Sequence, residues 1–222
     1  MKFWPKKNTE NYPDFWKAYI QLFDKKPQKL GINDIRFIAF DTETTGFDYI
    51  DDRILSIGAV AIKNGSIDVV DQLEMYLDQE VFNEDTVEIH GIIKNSPYDK
   101  LPERKAIQLF ITYIEDAVLI AHHAEFDRKM INRALQRFGL GKLKNKILDT
   151  GVLFKNSRHK VYANDSIKNY SLDELCNDLK IPKSDRHTAS GDAFITGMAF
   201  LKILAKLKKD KSFDVDRLFR LA

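Results

Sequence analysis

The sequence predicts an α/β domain, and three observations carry that expectation. Residues 37–46, 54–62 and 67–77 read as strands, and Asn64-Gly65 between the last two is a strong hairpin signal, so the sheet opens as an antiparallel meander. Val118-Leu119-Ile120-Ala121 is a short, wholly apolar run, a buried strand that leads through His122-His123-Ala124 into a helical pattern. Residues 189–207 form the longest helical pattern of the chain.

The remaining elements follow in order. Residues 1–33 read as a helical extension and linker, and residues 34–222 as the main domain. Asn11 is placed to cap a helix over about 12–24, with Asp14 in its first turn. Phe15, Trp16, Tyr19, Ile20, Leu22 and Phe23 give that helix a wide apolar face. The face is expected to pack on the back of the main domain. The alternative is a protein-docking or self-association surface, since aromatic residues are enriched at interfaces. Residues 25–33, with Pro27 and Gly31, read as the linker.

Residues 81–97 read as irregular and hold Ile89-His90-Gly91-Ile92. A helix over about 103–115 buries Ala106, Leu109, Phe110, Tyr113 and Ile114, and one over about 125–138 buries Met130, Ile131, Ala134, Leu135 and Phe138. Asp127 falls in the first turn of the second, where the helix dipole favours an anion. Ile147-Leu148-Asp149-Thr150 reads as a last strand. Residues 154–170, with Lys155, Arg158, His159, Lys160 and Lys168, read as a polar loop, either solvated or in contact with phosphate. Ser171-Leu172-Asp173-Glu174 is a capping box, and Cys176 on the core face of its helix reads as an inert buried thiol. Lys206, Lys208 and Lys209 close the long helix, and a short amphipathic helix over 215–221 ends the chain.

Composition narrows the class. The chain has 222 residues, 44% hydrophobic and 31% charged, which is ordinary for a globular protein with one well-filled core. A formal net charge of +2 means that any binding of a polyanion must come from local placement of Lys and Arg. A single cysteine rules out an internal disulfide, and no apolar run has the length of a signal core or a membrane span. A cytoplasmic location is the expectation.

The chemistry starts at Phe37-Ile38-Ala39-Phe40-Asp41-Thr42-Glu43-Thr44-Thr45-Gly46. In a strand, residues two apart point to one face, so Asp41 and Glu43 stand side by side where a buried strand reaches the surface. Two like charges held together cost free energy unless a cation sits between them, and oxygen-rich sites suit magnesium or manganese. Asp127 and Asp192 add two carboxylates in first turns of helices, and His187 precedes Asp192 by five residues.

In this order, Asp41, Glu43, Asp127, His187 and Asp192 resemble the DEDDh 3′–5′ exonucleases, the group that includes the epsilon proofreading subunit of bacterial replicative DNA polymerase. The most specific parts are residues 40–46, 122–127 and 187–193. Ile89-His90-Gly91-Ile92, Leu148-Asp149-Thr150 and Ser171-Leu172-Asp173-Glu174-Leu175 fall where that family has similar stretches. The resemblance implies a ribonuclease H-like fold, with a mixed five-stranded sheet flanked by helices. It implies that Asp41, Glu43, Asp127 and Asp192 hold two divalent cations, Mg²⁺ or Mn²⁺, with His187 as general base. It further implies that Thr44, Phe47, Asp85 and His90 line the pocket for the 3′ end of single-stranded or frayed DNA, or of RNA. His123 departs from the asparagine common in relatives, which bears on the hydrogen bonding around Asp127.

The physical chemistry is consistent with that implication. Phosphodiester hydrolysis needs an activated water and charge relief at the leaving oxygen, and two cations in one acidic site provide both. A histidine, with an unperturbed pKa of about 6.5, suits proton abstraction from the attacking water. Two other classes compete. Residues 40–45 brush against the nucleophile motif of haloacid-dehalogenase-like phosphatases, although Glu43 replaces its second aspartate and the antiparallel opening does not suit that fold. A catalytically silent nucleic-acid-binding module of the same fold is the other. The given sequence carries no polymerase or helicase region, so a stand-alone nuclease is the expected role.

Overall fold

The computed structural model describes residues 11–24, 30–81, 83–93, 98–158 and 169–221, without the side chains of Glu84, Asp85 and Ile89. Helix α1 spans Asp14–Leu22. The opening meander is β1 (Phe37–Thr44), β2 (Ile54–Lys63) and β3 (Ser66–Asp78), antiparallel throughout, with Asn64 and Gly65 at positive φ in the turn. There follow α2 (Glu84–His90), β4 (Lys100–Pro102), α3 (Glu103–Ile114), β5 (Val118–Ala121), α4 (Ala124–Arg137), β6 (Ile147–Asp149) and α5 (Thr150–Ser157). Helices α6 (Leu172–Leu179), α7 (Ala189–Leu207) and α8 (Val215–Leu221) complete the described chain. The sheet order is β4-β3-β2-β1-β5-β6, and β5 runs parallel to both β1 and β6.

Two hydrophobic layers sandwich this mixed sheet, and β1 feeds both. Ile38 and Phe40 point into the layer that holds Phe110, Ile114, Met130 and Leu135 of α3 and α4. Phe37 and Ala39 point into the opposite layer, with Leu153, Leu175 and Phe200 of α5, α6 and α7. The same alternation carries Asp41 and Glu43 toward the α7 side and Thr42 toward the α4 side. Strand β2 is buried along almost its whole length, as a strand covered on both faces must be.

Three elements differ from expectation. The sheet has six strands rather than five: Lys100-Leu101-Pro102 adds a short parallel edge to β3, too short to show a period, with its proline at an edge where no ladder donor is needed. Residues 84–90 form α2 inside the stretch read as irregular, and Gly91 at φ 68° ends it as a left-handed cap. Residues 154–157, the start of the stretch read as a polar loop, instead continue α5. That helix starts because Asp149 caps it, its Oδ1 accepting from the amides of Gly151 (2.8 Å) and Val152 (3.2 Å). His159, Lys160 and Lys168 lie outside the described residues.

The N-terminal helix begins after Pro13 rather than at Asn11, and its apolar face is not a free surface. Trp16 and Tyr19 are 1% and 3% exposed and belong to the same layer as α3 and α4. The Tyr19 hydroxyl donates to Asn145 Oδ1 at 2.7 Å and accepts from the Lys144 amide at 2.8 Å. Self-association through this face therefore lacks its surface. No described helix is long and apolar enough to cross a membrane.

Candidate active site

The site forms where β1 runs out of the core. Asp41, Glu43 and Asp192 each present an oxygen within 4.8 Å of the others. The first two share a face by strand alternation, and the third arrives on the first turn of α7. Two glycines permit that approach. Gly58 stands opposite Asp41 in the β1–β2 register, and a Cβ there would lie 2.2 Å from the backbone of Ala189 and Ser190. A Cβ on Gly191 would lie 2.0 Å from the Asp185 carbonyl oxygen. The Thr188 hydroxyl accepts from the Gly191 amide at 3.1 Å and caps the helix.

Asp127 comes from the other layer, on the first turn of α4. Its Oδ1 accepts a 2.7 Å hydrogen bond from the Thr42 hydroxyl, so the residue between the two strand acids anchors the fourth acid. Asp127 stands beside the three-acid group rather than within it. His123 is left-handed at φ 57°, a conformation in which asparagine and histidine are both enriched. Its side chain makes no cap hydrogen bond, and the Ala124 amide instead donates to Asp149 Oδ2 at 2.8 Å. The side-chain hydrogen bond to Asp127 comes from Thr42, and His123 occupies the turn before α4.

The electrostatics favour a cation. Burial, then repulsion from Asp127, Glu43 and Asp192, pushes Asp41 well above the carboxylate range. Burial and the charges of Asp192 and Asp127 push Glu43 up to about 7. Burial pushes Asp127 to about 7 against the opposing Thr42 hydrogen bond. A divalent ion would reverse the sign of these shifts. Asp192 Oδ1 is buried without a hydrogen-bond partner, as a free ligand oxygen would be. Three converging carboxylates are a hard donor set that suits a divalent cation.

The one cation among the described residues that reaches this cluster is Arg186. It pairs with Asp192 Oδ2 through Nη1, and with Asp173 Oδ1 at 3.0 Å through Nε. Sequence reasoning missed Arg186 and Thr42, and the only signal for either was adjacency to a site residue. His187 is exposed at φ 65°, and its amide donates to Asp192 Oδ2 at 3.3 Å.

The pocket residues divide. Thr44 is buried, and its hydroxyl donates to the Gly46 carbonyl at 2.7 Å, shaping the turn after β1. Phe47 is 79% exposed on that turn, its ring 6.1 Å from that of Phe126. His90 is buried, and its Nδ1 accepts from the Ile92 amide at 3.0 Å; burial lowers its pKa. Asp85 lies on α2, with its side chain outside the described ones.

Comparison with known proteins places this arrangement. The family model RNase_T, described as exonuclease, matches residues 38–200. The "DNA polymerase III PolC-type" of Halalkalibacterium halodurans is 33% identical over 165 residues, 74% of this chain and 11% of that protein. The protein of the same name from Caldanaerobacter subterraneus subsp. tengcongensis is 35% identical over 174 residues, 78% of this chain and 12% of that protein. The chain thus spans about a tenth of the length of these relatives. Among solved structures, exonuclease X in complex with 5′-overhanging duplex DNA superposes with a TM-score of 0.60 at 20% identity, over 84% of this chain and 98% of that one. E. coli exonuclease I in complex with a dA16 oligonucleotide superposes with a TM-score of 0.63 at 15% identity, over 84% of this chain and 42% of that one. These two likenesses concern the fold. The match over residues 38–200, with its acids at the end of β1, makes the chain a member of the RNase T exonuclease family, with a ribonuclease H-like fold.

Proposed function

We propose that this chain is a metal-dependent 3′–5′ exonuclease that removes nucleoside 5′-monophosphates from a single-stranded or frayed 3′ end, with DNA favoured. The observation that carries the reading is the convergence of Asp41, Glu43 and Asp192 within 4.8 Å, with one Asp192 oxygen buried and unpartnered. Asp41, Glu43, Asp127 and Asp192 would hold two divalent cations, Mg²⁺ or Mn²⁺, which when bound activate water and relieve charge at the leaving oxygen.

The other roles belong to the chain itself. His187, which is exposed, takes the proton of the attacking water on its imidazole. Thr42 holds Asp127 in place, and Gly58 lets α7 bring Asp192 to the strand acids. Phe47 stacks on or wedges beside a terminal base, a role its exposure supports. Thr44 and His90 shape the pocket wall behind it, and Asp85 lies on the same helix as His90. The antiparallel pairing of β1 and β2 weighs against the phosphatase alternative.

Product analysis tests the reading. Chromatography after incubation with unlabelled single-stranded DNA and RNA is expected to show 5′-mononucleotides only when a divalent cation is present. Release of inorganic phosphate, or of internal fragments, would overturn it.

A further inference from the structure

A cleft of about 500 Å³ opens beside α4, lined by Tyr49, Glu125, Arg128, Lys129, Arg133 and Lys142 among others and by none of the four acids. Four of its side chains are cationic and one is acidic, in a chain whose formal net charge is only +2. Glu125 pairs with Arg128 at 2.5 Å and with Lys129 at 3.8 Å, so one carboxylate answers two of the four. Lys129 Nζ lies 4.8 Å from the centre of the Tyr49 ring and the Arg133 guanidinium 5.8 Å from it. Tyr49 is half-buried against the layer of α3 and α4, and both cations lie over its ring. An aromatic platform flanked by Lys and Arg is the combination that takes a nucleic-acid strand, bases on the ring and phosphates on the cations.

The cleft is joined to the acids by a fixed path. The loop from Thr45 to Arg53 starts at the end of β1 and carries Phe47 and Tyr49. The Asp52 carboxylate pins it, accepting from the Thr45 hydroxyl at 2.7 Å and the Asp48 amide at 2.8 Å. Gly46 packs so closely on that carboxylate that a Cβ would lie 2.4 Å from Oδ2. Phe47 faces Phe126, the neighbour of Asp127, and Tyr49 faces Lys129 and Arg133 further along the same helix. From Asp127 to Arg133 the helix rises about 9 Å, the length of roughly two or three stacked nucleotides at 3.4 Å each.

We propose that the Tyr49–α4 cleft is a strand-binding tract that holds the phosphodiester backbone of the substrate two or more nucleotides upstream of the 3′ end. The inference rests on the exonuclease reading for its direction, and on the cleft alone for its ligand class. Its test uses Lys129→Ala/Arg133→Ala and, separately, Tyr49→Leu, with melting curves to confirm folding.

Fluorescence anisotropy with a labelled oligothymidylate of about 12 nucleotides, in chelator, reads binding whether or not turnover occurs. The double variant is expected to bind about tenfold more weakly, with a salt slope reduced by about 1.4 for two lost phosphate contacts. In turnover assays with magnesium, its KM for the same oligonucleotide is expected to rise by about tenfold, and the gap from wild type to shrink below about twofold on a dinucleotide too short to reach the cleft. Unchanged affinity and salt slope in both variants would overturn the tract. Failure of the wild type to cleave any strand would overturn the exonuclease reading instead, and the anisotropy result would still decide the cleft.

Discussion

Gly58 and Ala189 meet backbone to backbone: a methyl group on Gly58 would lie 2.2 Å from the Ala189 carbonyl carbon. Gly58 is also the register partner of Asp41. The contact therefore sets how far Asp192, three residues beyond Ala189 on α7, stands from the strand acids. Gly58→Ala is expected to keep the fold and lower kcat by about 10²-fold, since displacements near 1 Å cost that much in a positioned site. Isothermal titration with Mn²⁺ should show weaker binding in parallel. Unaltered metal affinity and rate would mean that α7 tolerates the shift.

Removing the base and removing a ligand should differ in kind. His187→Ala is expected to slow single turnover by about 10²–10⁴-fold while leaving Mn²⁺ affinity close to that of the wild type. Asp192→Ala is expected to lose both. Equal loss of metal binding in the two variants would move His187 into the ligand set.

The metal-free protein should be less stable at higher pH. Glu43 and Asp127 each titrate at about 7 in the fold, against ordinary values of 4.5 and 3.8. A raised carboxylate pKa means that the folded state holds protons the unfolded state has released. Its stabilising share is complete below the ordinary value and is lost as pH rises through 7. Burial lowers the pKa of His90 and of His122, so these two groups gain stability as pH rises toward 6.5 and oppose the trend below that value. In chelator the melting midpoint is therefore expected to fall between about pH 6.5 and pH 8, and the gain on adding magnesium to grow over the same range. Asp71 and Asp173 are depressed by Lys63 and Arg36 and by Arg186 respectively, so their stabilising share is lost at lower pH, outside this window. A midpoint independent of pH in chelator would contradict the electrostatics described for the site.

Arg186 is largely buried and pairs with a buried Asp192. Arg186→Met leaves that carboxylate without its counter-charge and is expected to cost about 3–5 kcal/mol in chelator. Saturating magnesium should restore part of the loss, because a bound cation supplies the missing charge. Urea denaturation with and without metal measures both. An equal loss in the two conditions would place the arginine's role outside the metal site.

Much of this was legible in the sequence because it rests on short-range rules. The i, i+2 spacing of Asp41 and Glu43 places both on one face, and the capping box at Ser171 and the long helix at Ala189–Leu207 stand where their patterns put them. What escaped the reading depends on distant partners or on very short elements. Helix α2 has seven residues and β4 three, too few for a period to show. Arg186 looks like any charged loop residue until α6 brings Asp173 beside it. Tyr49 gains its meaning from Lys129 and Arg133, some eighty residues away in the chain.

The most direct single measurement follows 5′-labelled single-stranded DNA and RNA over time with magnesium, manganese or chelator, beside Asp41→Ala. Stepwise shortening from the 3′ end that requires both the metal and Asp41 is the expected result. Shortening that persists in chelator, or with Asp41→Ala at the wild-type rate, would contradict the assignment of this acidic site to phosphodiester hydrolysis.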